Sequence, residues 1–169
     1  MSVGVGYDSH RFDETRPLVL GGVEIPDSPG LAAHSDGDVI AHAVTDAVLG
    51  AAAMGDIGTL FPDTDPANAG ADSVKILTDV VRSVEAQGLG VQNVDVTVIT
   101  EKPHIGSHAK AIRERIAEAL GTSFSSVSVK AKSNEGMGWI GRGEGLAVIA
   151  VASVEPFGKR LGRNLADND

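Results

Sequence analysis

Apolar and polar residues alternate from Ser2 to His10. Val3, Val5 and Tyr7 fall on one side, and Gly4, Gly6, Asp8 and His10 on the other, as on a β-strand. Leu18 to Ile25, interrupted by Gly21-Gly22, reads as a hairpin return, and Pro26 to Gly30 as a turn-rich connection. From Val39 the period lengthens. Val39, Ile40, Ala43, Val44, Ala47, Val48 and Ala51 form a helical stripe, with Ser35, Asp36 and Asp38 offering N-cap oxygens and an end near Gly50 or Gly55. Asp72-Ser73 caps a second helix with Val74, Leu77, Val81 and Val84 inward and Gly88 as its stop. Val94, Val96, Val98 and Thr100 alternate as a strand. Ser107 opens a third helix, with Ile112, Ile116 and Leu120 inward and Gly121 as its stop. Val127, Val129 and Ala131 alternate with Ser128, Lys130 and Lys132 in another strand, and Leu146 to Val154 is almost continuously apolar. This order predicts a single-domain α+β two-layer sandwich over residues 1–155, a mixed four-stranded sheet with helices on one face plus a small hairpin. Residues 156–169 read as a mobile polar tail.

A strand apolar on both faces has no solvent side, and in a chain of 169 residues another subunit is the simplest cover for it. With 42% hydrophobic but only 4% aromatic residues, the core is built from Val, Ala, Ile and Leu. A net charge of −9 excludes the basic footprint that nucleic acid rewards, and it leaves phosphate binding to metal ions and backbone N–H groups. There is no cysteine, so a metal site would use His and carboxylates. No run approaches a membrane span and no signal peptide is evident, so a cytoplasmic protein with no membrane partner is expected.

The candidate chemistry sits in four stretches. Asp8 and His10, two apart on a strand, point to one face. Asp38, His42 and Asp46 recur every four residues along the helix that starts at Val39. Two readings of that row stay open: a solvated polar face, or His42 as a metal ligand oriented by a carboxylate. The loop from Asp56 to Pro66 carries three carboxylates and two prolines, which is turn chemistry first and a substrate grip second. His104 and His108 read as surface histidines. Five glycines between Ser133 and Gly145 let backbone N–H groups approach an anion, without matching a known phosphate-loop pattern. Asp8, His10 and His42 together make a His₂Asp set with one position open, the arrangement of a catalytic zinc site, and Glu135 could hold a harder cation between phosphates. Such a pair points to phosphoryl transfer.

Gly6-Tyr7-Asp8-Ser9-His10, His34-Ser35-Asp36-Gly37-Asp38 with His42 and Asp46, Gly55 to Gly58 through Phe61-Pro62-Asp63-Thr64-Asp65, and Gly141-Arg142-Gly143-Glu144-Gly145 resemble the 2-C-methyl-D-erythritol 2,4-cyclodiphosphate synthase family. The resemblance extends to about Val154. It implies conversion of 4-diphosphocytidyl-2-C-methyl-D-erythritol 2-phosphate to the cyclic diphosphate and CMP, in the non-mevalonate isoprenoid pathway. It implies zinc on Asp8, His10 and His42, and magnesium or manganese on Glu135. His34 and the Ser133 hydroxyl are the implied catalytic groups. Asp56, Ile57, Gly58, Phe61, Pro62, Asp63, Thr64 and Asp65 match the grip on the methylerythritol phosphate. Thr100, Pro103, His104, Ile105 and Gly106, with Ala131, Lys132, Ser133, Asn134 and Glu135, match the cytidine diphosphate pocket. Ser9, Ser35, Trp139 and Arg142 complete the implied substrate set.

The resemblance also implies a homotrimer with sheets packed around its axis, Arg142 near that axis with Glu144 or a bound anion offsetting its charge, and active sites between subunits. Two positions depart from the pattern: His104 stands where many relatives have lysine, and Lys132-Ser133-Asn134 replaces a threonine run, so Lys132 is the expected substitute cation. Two other classes fit the same residues. A zinc hydrolase would use the His₂Asp site to activate water and would leave an open monophosphate or diphosphate. A non-catalytic trimeric ligand-binding module would keep the apolar last strand purely for assembly and would need no open metal site.

Overall fold

The computed structural model describes residues 1–62 and 70–157. Its elements run β1 (Ser2–Leu20), β2 (Val23–Leu31), α1 (Val39–Ala51), α2 (Ile57–Leu60), α3 (Ser73–Ala86), β3 (Leu89–Ile99), α4 (Ala109–Ala119), β4 (Val127–Lys132), α5 (Gly138–Gly141) and β5 (Gly145–Pro156), with short 3₁₀ turns before α4 and β4. The strands form one sheet in the order β2-β1-β5-β3-β4. The β3–β4 pair, joined through α4, is parallel, and the other pairs are antiparallel.

The sheet has five strands rather than the expected four, because the hairpin is not separate from it. β1 is 19 residues long. Its Ser2–Arg11 half pairs with β5, while its second half, through an irregularity between Asp13 and Leu18, pairs with β2. The stretch from Pro26 to Gly30, expected to be a turn, lies inside β2. Prolines are tolerated there because β2 is an edge strand whose outer N–H groups have no ladder to join. The helical stripe of α1 is buried throughout, and α1 lies across β1 and β5, with α3 against β3 and α4 against β4. The core is made of Val, Leu, Ile and Ala from these helices and from one face of the sheet.

Alternation along β1 decides how close α1 can come. Gly4 and Gly6 face the helix, and a Cβ on Gly6 would lie 1.9 Å from the Ala43 carbonyl oxygen, one on Gly4 2.2 Å from that of Ala47. The helix backbone therefore rests directly on the strand. On the opposite face Val3, Val5 and Tyr7 are exposed, at 57%, 65% and 56%, and Ile149 and Val151 of β5 lie opposite Tyr7 and Val5. β5 thus has a core face of Leu146, Val148, Ala150, Ala152 and Val154, and an outer face that is apolar from Ala147 through Val151 before Ser153 and Glu155. At its end, Phe157 donates its N–H to the Gly88 carbonyl. Residues 158–169 of the expected tail lie outside the described residues.

The Gly6→Ala variant should lose at least about 2 kcal/mol of stability, because backbone must move to admit the methyl group, and its Tm should fall by roughly 4–8 °C. Thermal unfolding followed by circular dichroism checks this. An unchanged Tm would mean that the strand and helix are not in backbone contact.

Candidate metal centre

β1 delivers Asp8 and His10 two and four residues beyond the contact made by Gly6, and α1 delivers His42 beside Ala43, the residue that Gly6 touches. Asp38 caps that helix. Its carboxylate, fully buried, accepts from Ile40 and Ala41 N–H at 3.1 Å, and from Gly21 and Gly22 N–H at 2.7 and 2.6 Å, so it also pins the β1–β2 turn to the start of α1. Burial pushes this carboxyl up to about 6, against the pull of those N–H groups.

The three side chains converge. Asp8 Oδ2 lies 3.1 Å from His10 Nε2 and 2.9 Å from His42 Nδ1. One donor atom from each residue lies within 4.8 Å of the others. The opposite ring nitrogens are occupied elsewhere: His10 Nδ1 lies 2.8 Å from the Ala32 carbonyl, and His42 Nε2 lies 2.9 Å from Ser73 Oγ and 3.1 Å from Ser35 Oγ. A carbonyl can only accept, so His10 Nδ1 carries a proton and its Nε2 is the nitrogen aimed at Asp8. Two imidazole nitrogens and a carboxylate oxygen meeting at one point, each imidazole held from behind, fit a divalent transition metal with room for a further ligand. Burial would raise Asp8, but hydrogen bonds to His10 and His42 and their charge hold its carboxyl well below the usual range. The hydrogen bond to Asp8 in turn raises His10 above its ordinary value, against burial.

A cavity of about 410 Å³ opens over this cluster, and His34, Ser35, Asp46, Ile57, Gly58 and Phe61 help to line it. Three of the eight residues of the expected sugar-phosphate grip, Ile57, Gly58 and Phe61, therefore lie beside the cluster. Asp56 instead caps α2, accepting from Thr59 N–H at 2.8 Å. Asp63, Thr64 and Asp65 lie outside the described residues. Of the acidic row on α1, Asp46 accepts from Ile57 N–H at 2.8 Å, and burial pushes its carboxyl up. The partners that hold the back of His42 are hydroxyls rather than Asp46, and the sequence marks Ser73 only as part of a helix cap. A buried serine one residue after a helix cap gives no sequence signal beyond the cap itself.

The other expected residues gather elsewhere. Thr100, Pro103, His104, Ile105 and Gly106 follow β3, and Ala131 to Glu135 leave the neighbouring β4. Glu101, which the sequence did not single out, ties the two loops by accepting from Asn134 and Gly136 N–H at 3.0 and 3.1 Å. The Ser133 hydroxyl donates to Glu135 Oε1 at 2.5 Å, and Glu135 sits at φ 51. A second cavity, of about 460 Å³, is lined in part by Phe12, Lys102, Pro103, His104 and Arg142, and shares no lining residue with the first. Arg142 Nε donates to Glu144 Oε1 at 2.6 Å, so within the chain Glu144 faces the guanidinium. Trp139 lines a smaller hollow with Ser9 and His10.

The model of the YgbB family matches residues 1–155. The chain is 57% identical over 158 residues to the 2-C-methyl-D-erythritol 2,4-cyclodiphosphate synthase of Gemmatimonas aurantiaca, covering 94% of this chain and 95% of that protein. Among solved structures, the bifunctional IspDF of Campylobacter jejuni matches with a TM-score of 0.89 and 42% identity, over 92% of this chain and 42% of that longer one. A 2C-methyl-D-erythritol-2,4-cyclodiphosphate synthase in its CDP-bound form matches with a TM-score of 0.83 and 37% identity, over 90% of this chain and 99% of that one.

The protonation of the cluster sets a pH signature. His10, raised above its ordinary 6.5, contributes stability that is fully present below that value and lost as pH rises through the raised one. Asp8, lowered from 3.8, contributes stability that is lost only as pH falls through its depressed value. A metal ion needs the bare His10 nitrogen, so its stabilisation runs the opposite way. As pH rises from the ordinary imidazole value through the raised one, this cluster should lower the Tm of metal-free protein, while the increment in Tm from saturating zinc should grow. Thermal melts of chelator-treated and zinc-loaded protein measure both. An increment that shrinks as pH rises would place the ion away from His10.

Proposed function

The chain belongs to the YgbB family, and on that premise we propose how its two half-sites share the chemistry. It converts 4-diphosphocytidyl-2-C-methyl-D-erythritol 2-phosphate to 2-C-methyl-D-erythritol 2,4-cyclodiphosphate and CMP, the cyclodiphosphate-forming step of the isoprenoid pathway. An oxygen of the 2-phosphate bonds to the β-phosphorus as the bond from that phosphorus to the CMP oxygen breaks. No water is consumed. The observation that carries the metal assignment is the convergence of Asp8 Oδ2, His10 Nε2 and His42 Nδ1 beneath the cavity.

Zinc on Asp8, His10 and His42, and magnesium or manganese on Glu135, would supply neutralisation of phosphate charge and alignment of the reacting groups. His34 and Ser35 stand at the rim of the same cavity, where His34 donates to the transferring phosphoryl oxygens while Ile57, Gly58 and Phe61 hold the methylerythritol unit. The loops 100–106 and 131–135 hold the cytidine diphosphate. There the Ser133 hydroxyl steadies the β-phosphate, Glu135 would hold the second cation, and Lys132 supplies the positive charge absent at His104.

We infer a homotrimer with each active site between subunits. Two features support it. The cavities over the metal cluster and beside the cytidine loops share no lining residue within one chain. The outer sheet face presents Val3, Val5, Tyr7, Ile149 and Val151 side by side, an apolar strip that a second sheet would cover. Among the described residues no helix is long and apolar enough to cross a membrane.

Incubation with the cytidine substrate and phosphorus NMR tests the reaction. The expected products are the cyclic diphosphate and CMP, whereas an open monophosphate or diphosphate would identify a hydrolase.

The shared site makes its own demand. His42→Ala should lose most of its zinc and its activity, and Glu135→Gln should keep zinc and lose activity. Unfolded together in equal amounts and refolded, the two should recover about a quarter of wild-type activity, because about one interface in four pairs two intact halves. Mixtures that stay dead while wild type refolds would place each site within one chain.

A further inference from the structure

His42 reaches into the metal cluster with Nδ1, yet nothing on its own helix selects that nitrogen. The selection comes from two residues outside α1. Ser73, the first residue of α3 and fully buried, places its hydroxyl oxygen 2.9 Å from His42 Nε2. The same hydroxyl donates to Asp36 Oδ1 at 2.5 Å. Asp36 is itself fixed: its carboxylate accepts from Asp38 N–H and from Ser73 N–H, each at 3.1 Å. Its own N–H donates to the Ala71 carbonyl at 3.2 Å.

The direction of these bonds follows from which groups can donate. An ionised carboxylate has only lone pairs, so the Ser73 proton points to Asp36. The Ser73 oxygen is then left to accept, and His42 Nε2 must be the donor. With Nε2 protonated and metal bound, Nδ1 presents its lone pair beside Asp8 Oδ2. The nearby Ser35 hydroxyl, 3.1 Å from Nε2, has no carboxylate behind it and already accepts the Gly37 N–H at 3.2 Å, so it does not impose a direction.

We propose that Asp36 and Ser73 are positioning residues for the metal centre, a carboxylate–hydroxyl relay that commits His42 to bind through Nδ1 and raises its basicity. Neither touches the metal or the substrate. The relay rests on the reading of Asp8, His10 and His42 as zinc ligands. It joins two loops 37 residues apart in the chain, which also couples the start of α3 to the site.

The test uses zinc affinity and the imidazole signals rather than turnover. In zinc-loaded wild-type protein, the Nε2–H of His42 should appear in proton–nitrogen NMR as a slowly exchanging, downfield resonance. Ser73→Ala and Asp36→Ala should each weaken zinc binding by about 10- to 100-fold in competition with a chromophoric chelator, with that resonance shifted upfield or lost to exchange. Ser73→Thr, which keeps the hydroxyl, should restore both.

A wild-type His42 that binds through Nε2, or whose Nε2–H exchanges freely, overturns the relay without any variant having to fold. Folded variants with wild-type zinc affinity and an unchanged resonance overturn it as well. A wild-type protein that holds no zinc at this cluster would overturn the metal reading itself, a different outcome from either.

Discussion

The contact on which the rest of the structure depends is the one between the glycines of β1 and the backbone of α1. A side chain at Gly6 would overlap the Ala43 carbonyl, and one at Gly4 the Ala47 carbonyl, so helix and strand meet without intervening side chains. Most helices lie farther from a sheet because side chains separate them. Here the small gap brings His42 within a hydrogen bond of Asp8, although 34 residues separate them in the chain. The capping carboxylate of Asp38 works in the same direction, because it fixes where α1 begins and ties that point to the β1–β2 turn.

A cluster of one carboxylate and two imidazoles pressed against an apolar core is costly unless every polar atom is answered. Each atom here has a partner. Asp8 Oδ2 faces both rings, Asp8 Oδ1 accepts from Ser9 N–H, and the outer ring nitrogens reach a carbonyl and two hydroxyls. The loop carrying His34 is braced in turn by Arg16, whose guanidinium donates to the Ala33 and Ser35 carbonyls on either side of it. These contacts hold the three donor atoms together in advance, so little reorganisation would oppose the binding of an ion there. The net negative charge of the chain makes the same arrangement necessary. Phosphate groups gain nothing from the global field of this protein and must be met by local cations and N–H groups.

The two faces of the sheet divide the labour. One face is sealed by α1, α3 and α4 and holds the metal cluster at its edge, while the other keeps an apolar strip on β1 and β5. β3 and β4, the parallel pair, end together and launch the loops that Glu101 holds side by side. A substrate with a diphosphate between a sugar alcohol and a nucleoside suits this division, since its two ends demand different chemistry.

Much of this was legible in the amino-acid sequence. Period-two alternation placed Asp8 and His10 on one strand face, the helical stripe placed His42 on α1, and motif density identified the family. These are local properties, settled by backbone geometry within a few residues. The hairpin was misread as separate from a four-stranded sheet because strand length and pairing are decided by partners far along the chain. β1 continues through Pro17 only because β2 is there to pair with it. Asp38, Asp46 and Asp36 looked alike as acidic residues near one helix, and their roles diverge only in three dimensions. Asp38 caps and pins, Asp46 takes a loop N–H, and Asp36 reaches His42 through a serine. Carboxylates are defined by what they accept from, and those donors come from the β1–β2 turn, α2 and α3. The sequence could name the three residues whose donor atoms meet; the fold alone decided which hydroxyl, carbonyl and acid stand behind them.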